Sequence, residues 1–216
     1  MPKVSVLLPV RGRPIETSAL FPRLVATAQA PYELAVVVDA DRELYQLLRP
    51  QLGARVTFNR TRQGYWKCLR QAARVTDGEF VVTLANDLLP GAGWLKRALD
   101  AHQMTFGQGE GLIGFNDGIH FGEHAAHFLV NRALLKRWYG DDYFPVCYGH
   151  NFGDVEISLR ALEEGKFAVA NFAVMFHNHW FNGAVKDVVY DEGYASNEQD
   201  RQIFLGRHNH NWTGGA

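Results

Sequence analysis

The sequence predicts an α/β fold: a mostly parallel sheet with helices on both faces. Three observations predict it. Apolar runs and helical runs alternate through the first half of the chain. The apolar runs are continuous, as strands covered on both faces are. Gly, Pro, Asn and Asp punctuate their ends.

Taken in order, "VSVLLPV" from Val4 reads as the first strand. "PIETSALFPRLVATAQA" from Pro14 reads as a helix, with proline in the first turn, where its missing N–H is not needed. "ELAVVVDA" is a second strand, followed by a short helix from Asp41 to Leu48. "RVTFNR" is a third strand, "GYWKCLRQAARV" a helix and "EFVVTLA" a fourth strand, with a further helix, "WLKRALDAHQM", after Trp94. The second half is less regular. "GLIGFND", "AAHFLVN" and "FAVANFAVMFH" read as strands, and "DVEISLRALEEG" as a helix closed by Gly165. The tail from Lys186 is polar, with a helix around "SNEQDRQIFLGR". No repeat, low-complexity tract or linker divides the 216 residues, so one domain over 1–216 is expected.

Composition narrows the function. Hydrophobic content of 47% supports a full core, and a formal charge of −1 excludes a strongly basic binder of nucleic-acid backbone. Cys68 and Cys147 are expected to be buried, reduced thiols of an intracellular protein. "KVSVLLPV" is too short for a signal peptide, and no apolar run approaches the roughly 18 residues of a membrane span. A soluble, cytoplasmic protein is the expectation.

Chemistry concentrates at strand ends. Asp39 closes the second strand and Asp87 follows the fourth, and right-handed crossovers would turn both into one crevice at the sheet's C-terminal edge. In "TLANDLLPGAGW", Asn86 and Asp87 serve either an Asx-type turn or a ligand. "PVRGRP" adds Arg11 and Arg13 at the same edge, suited to a phosphate-bearing ligand held partly by a cation. No G-x-G-x-x-G follows the first strand and no G-K-[ST] is present anywhere, which argues against dinucleotide-cofactor and P-loop chemistry. "FHNHW" places His177 and His179 on one side of an extended run, and imidazole beside carboxylate suits Mn²⁺ or Mg²⁺. Zinc would need more ligands, for which His124, His127, His208 and His210 are candidates. Asp154 and Glu156 open a helix, where acids cap and complement the dipole, yet a carboxylate there also suits deprotonation of a hydroxyl. Glu123 and the histidines around it are further candidates for lining the site.

In this order the segments resemble a GT-A fold glycosyltransferase, closest to family 2. "KVSVLLPVRGRP" is similar to that family's opening strand and donor-binding turn, and "ELAVVVDADRE" to its second strand, with Asp39 matching the aspartate that contacts the nucleobase. "NRTRQGYWKCLRQAARVTDGEFVVTLANDLLP" resembles the stretch leading to the metal-binding D-x-D, "FGDVEISLRALEEG" the later E-D motif, with Arg160 as its downstream arginine, and "FHNHW" the late histidine ligand. The match runs from about Lys3 to Trp180, and the compact length is similar to versions found in phage genomes. Two motifs depart from the family: the D-x-D is reduced to Ala85-Asn86-Asp87, and Gly153 stands in place of the first acid of the E-D pair.

The resemblance implies a Rossmann-like three-layer α/β/α sandwich. Residues of about 1–105 would form a nucleotide-sugar-binding half, about 106–185 an acceptor and catalytic half, and 186–216 a C-terminal tail helix. It implies a metal-dependent, inverting glycosyltransferase with a nucleotide-sugar donor, a UDP-sugar foremost. Base and ribose would lie near Val10, Arg11 and Asp39, with Asn86 on ribose or water. The diphosphate would meet Mn²⁺ or Mg²⁺ on Asp87 and His179 (or His177), assisted by Lys67 or an arginine, and Asp154 would be the general base. Three other readings stand beside this one. A sugar-nucleotide nucleotidyltransferase lacks its glycine-rich loop here, and a non-catalytic nucleotide- or sugar-binding module would fit the thinned D-x-D. In the third, the acceptor is a modified base in phage DNA, met by Arg60, Arg62, Lys67, Arg70 and Arg74. Tyr65 and Trp66 would then stack on bases or belong to the core.

Overall fold

The computed structural model describes residues 2–120, 122 and 124–208. Strands β1 (Val4–Val10), β2 (Glu33–Asp39), β3 (Val56–Asn59), β4 (Phe80–Thr83), β5 (Leu88–Pro90), β6 (Leu112–Asn116), β7 (Phe128–Asn131) and β8 (Phe167–His177) form one sheet, in the order β3-β2-β1-β4-β7-β6-β8-β5. The first four lie parallel, as continuous apolar runs require. β7 enters antiparallel between β4 and β6, β6 and β8 are parallel, and β5 pairs antiparallel with β8.

The strand pleat divides the core. Val4, Val6, Leu8 and Val10 of β1, with Val36 and Val38 of β2, pack under α1 (Pro14–Thr27), α2 (Arg42–Leu52) and α4 (Trp94–Phe106). Leu7, Ala35, Val37 and Val81 face α3 (Tyr65–Arg74), α5 (Arg132–Tyr139), α6 (Gly153–Glu163) and α8 (Asn197–Arg207). Each fully buried aliphatic contributes roughly 1.5–3 kcal/mol, so both faces stabilise the sheet.

Three elements were not expected from the sequence: β5, α5 and the short helix α7 (Val188–Tyr194). The helix after β2 runs to Leu52, past the expected end at Leu48, carrying Pro50 in its last turn. Cys68 is buried as expected, but Cys147 is exposed, because it sits in the irregular stretch between α5 and α6. Among the described residues no helix is long and apolar enough to cross a membrane.

Candidate active site

The C-terminal ends of β1, β2 and β4 open into a cavity of about 230 Å³. Val10, Arg11, Arg13, Asp39, Asn86, Asp87, Asp154, His177 and His179 all line it, whereas Lys67 on α3 is outside that lining. The crossovers thus bring together the carboxylates of two strand ends.

Asp87 is the electrostatic centre. Its Oδ2 receives Arg13 Nη1 at 2.7 Å and the Tyr190 hydroxyl at 2.9 Å, with His177 Nε2 at 3.3 Å. Its Oδ1 is buried and has no hydrogen-bond partner. Burial works to raise the carboxyl, but His177, Arg13 and His127 together hold it well below the usual carboxylate range. It is therefore an anion with one oxygen to offer.

The two neighbouring residues do other work. The Asn86 amide donates to the carbonyls of Arg11 and Gly12, both at 3.2 Å, and to Thr17 Oγ1 at 2.8 Å. It fixes the turn after β1 and is directed at protein. Asp39 accepts backbone N–H groups from Gln63 (2.9 and 3.1 Å) and Gly64 (2.9 Å), so it shapes the loop before α3 as well as lining the cavity.

His127 on the approach to β7 joins the "FHNHW" histidines, with ring centroids 5.2 Å from His177, which in turn lies 5.0 Å from His179. Burial lowers His127 to about 3 and His179 to about 4, so both rings are neutral at physiological pH and carry lone pairs. His179 Nδ1 accepts the Phe181 N–H at 3.2 Å, which leaves Nε2 as its other donor atom. Among the described residues no three His, Cys, Asp or Glu side chains are already gathered as a cage. The donor set still fits a hard-to-borderline divalent cation, because the unpartnered Asp87 Oδ1 shares the cavity with the neutral imidazoles of His127 and His179, and ligand oxygens would complete it. His208 lies away from this group, 3.0 Å from Glu156, and Glu123 and His210 lie outside the described residues.

Asp154 sits in the first turn of α6, 3.7 Å from His124 Nε2. Glu156 turns the other way: fully buried, it binds the Tyr148 hydroxyl (2.7 Å), Arg207 (2.8 and 3.0 Å) and His208, tying α8 to α6. The departure at Gly153 has a steric cause. A Cβ there would lie 2.2–2.7 Å from the Trp66 ring, whose Nε1–H donates to the His150 carbonyl at 2.8 Å. Trp66 is therefore core. Of the basic run, Arg70 and Arg74 pair with Asp142 (3.1 and 3.2 Å) and Arg62 with Glu192 (3.5 Å).

His127, which the sequence offered only as a further zinc ligand, lines the site, and so do Tyr190 and Glu192, which were not foreseen. No sequence signal marks them, since β7 reaches Asp87 only through its antiparallel insertion, and α7 only through side chains of a polar tail.

This sheet order and cavity define the class by fold: a GT-A, Rossmann-like glycosyltransferase fold. The chain is similar to a mannosyltransferase from Pyrobaculum calidifontis solved with GDP-Man and Mn²⁺, at 18% identity and TM-score 0.67, over 82% of this chain and 56% of that one. It is similar to S. aureus TarS 1-349 at 19% identity and TM-score 0.62, over 80% of this chain and 59% of that one. Glucosyl-3-phosphoglycerate synthase from Mycobacterium tuberculosis, solved with Mn²⁺, UDP and glucosyl-3-phosphoglycerate, matches at 15% identity and TM-score 0.68, over 99% of this chain and 82% of that one. The chain thus spans less than two thirds of the length of the first two. No family model and no curated protein matches the sequence.

Proposed function

We propose that the protein is a nucleotide-sugar glycosyltransferase, family 2-like and inverting, of the compact kind that phage genomes carry. One observation carries this reading: a single cavity at the parallel strand ends holds Arg11, Arg13, an anionic Asp87 with a free oxygen, neutral histidines and Asp154. Metal-bound nucleotide complexes of similar folds support the donor class.

The donor's base and ribose lie against Val10, Arg11 and Asp39, and its diphosphate points toward Arg13 and Asp87. A divalent cation held by Asp87, with His179 or His177, would supply positive charge to the departing diphosphate. Arg13, buried and charged, adds fixed positive charge at the same place. Asp154 takes the proton of the acceptor hydroxyl, whose oxygen forms the new bond to the anomeric carbon as the carbon–diphosphate oxygen bond breaks. Attack from the face opposite the leaving group inverts that carbon.

Calorimetric titration of UDP into metal-free protein, with and without Mn²⁺, tests the reading. Metal-dependent binding that disappears in Asp87→Ala is expected. Failure of UDP, GDP and other nucleoside diphosphates to bind would leave a non-catalytic module in its place.

A further inference from the structure

Arginines at the cavity mouth face the chain's own acids. Arg13 Nε and Nη2 meet the two oxygens of Asp187 at 2.7 and 3.0 Å. Arg11 Nε and Nη2 meet the two oxygens of Glu192 at 2.6 and 3.2 Å. Arg62 reaches Glu192 with Nη1 at 3.5 Å and its carbonyl with Nη2 at 3.0 Å. The Arg13 and Arg11 contacts are forked guanidinium–carboxylate pairs, and the same fork fits phosphate oxygens. One short segment supplies both acids, because Asp187 caps α7 and Glu192 lies on it.

We infer that Asp187 and Glu192 stand in for the donor's diphosphate on Arg13, Arg11 and Arg62, and that a nucleoside diphosphate exchanges for them, displacing α7 from the turn after β1. This rests on the donor reading above, shifts Arg11 from the ribose to the diphosphate and adds Arg62 to the anion site.

The attachment of α7 suits exchange. Only Tyr190 and Gly193 of its seven residues are buried, and Val188 is exposed. It is held mainly by polar contacts: the two arginine forks, the Tyr190 hydroxyl on Asp87, and the Asn151 amide on the Gly193 carbonyl at 3.1 Å. Val189 packs on Gly12, where a Cβ would come within 2.7 Å of its Cγ2, so the helix sits directly on the donor turn. Arg11 draws Glu192 below the usual carboxylate range, and Arg13 does the same to Asp187 against the opposing effect of burial. Both are anions at neutral pH, and a diphosphate offers the arginines more charge than either. A site that its own chain covers binds ligand with an affinity reduced by the fraction of time it is open.

The test is calorimetric binding of UDP and of inorganic pyrophosphate, each with Mn²⁺, to the parent and to Asp187→Asn/Glu192→Gln, in which asparagine keeps the α7 cap. The variant is expected to bind both at least about fivefold more tightly, since two ion pairs no longer compete. The control Glu43→Gln/Glu198→Gln removes the same charge elsewhere and is expected to stay within about twofold of the parent. Hydrogen exchange on the unmodified chain gives an independent readout: pyrophosphate is expected to speed exchange across 187–194. Equal affinities in parent and variant, an equal gain in the control, or unchanged or slower exchange overturns the inference. If only pyrophosphate binds, and binds the variant more tightly, the exchange mechanism stands and the nucleotide-donor reading falls. If neither probe binds any form, both fall.

Discussion

Arg13 and Asp87 form a buried ion pair, 2.7 Å from Nη1 to Oδ2, that joins the turn after β1 to the end of β4. Their side chains are 9% and 5% exposed, so water screens neither. The pair sets a fixed cation against an anion in the cavity's lining, where the proposed function puts a diphosphate and its counter-ion, and it also holds the cavity's walls together.

Removing one member of such a pair leaves the other buried without its partner. Arg13→Ala is expected to lower stability by roughly 3 kcal/mol, the range for a broken buried pair. Urea unfolding followed by circular dichroism measures it. Arg13→Lys keeps the charge but loses the fork across Asp87 and Asp187, and is expected to fall between alanine and the parent.

Gly153 makes a steric prediction. A methyl at that position meets the Trp66 ring, so Gly153→Ala is expected to cost about 1–3 kcal/mol. Trp66→Phe in the same chain opens space and is expected to recover part of the loss, visible as non-additivity in a double-mutant cycle.

The same position marks where sequence reading reached its limit. The order of β1 to β4, and the turning of Asp39 and Asp87 into one crevice, were legible because continuous apolar strands with right-handed crossovers leave few arrangements. The roles of single polar residues were not. Asn86 serves the turn after β1 and Glu156 anchors α8, because a hydrogen-bonded carboxylate or amide looks the same in a sequence whichever way it points. His127 and Glu192 enter through an antiparallel insertion and a polar tail, neither of which carries a periodic signal.

The buried histidines predict a pH dependence. His127 titrates near 3 in the fold, through burial and the nearby His177, against 6.5 unfolded. The unfolded chain therefore binds the proton first, and stability falls as pH drops from about 6.5 toward 3. His127→Phe removes that contribution. Its melting temperature is expected to vary less than the parent's across pH 6.5 to 4, as measured by calorimetry.

Glu156 predicts a second, more acidic transition. Burial works against ionisation, but Arg207, His208 and Tyr148 bring the carboxyl down to about 2 from 4.5. A depressed carboxyl stabilises above its unfolded value, so this contribution is complete above about pH 4.5 and is lost as pH falls toward 2. It amounts to something on the order of 3 kcal/mol at neutral pH. Glu156→Gln is expected to be less stable at pH 7 and to converge with the parent near pH 2.

Asp154 carries the sharpest functional prediction. It lines the cavity at the start of α6, beside His124, while the arginine forks are made with Asp187 and Glu192, so its loss leaves those pairs in place. Asp154→Asn keeps the side chain's shape while removing the proton acceptor. Transfer is expected to slow by about 10²- to 10⁴-fold, the usual worth of a positioned base. The dissociation constant for UDP with Mn²⁺ is expected to stay within about twofold of the parent. Parallel measurement of turnover and of nucleotide binding decides the matter. A variant that turns over normally excludes Asp154 as the base, and one that loses nucleotide binding as well assigns it to the donor's side of the cavity.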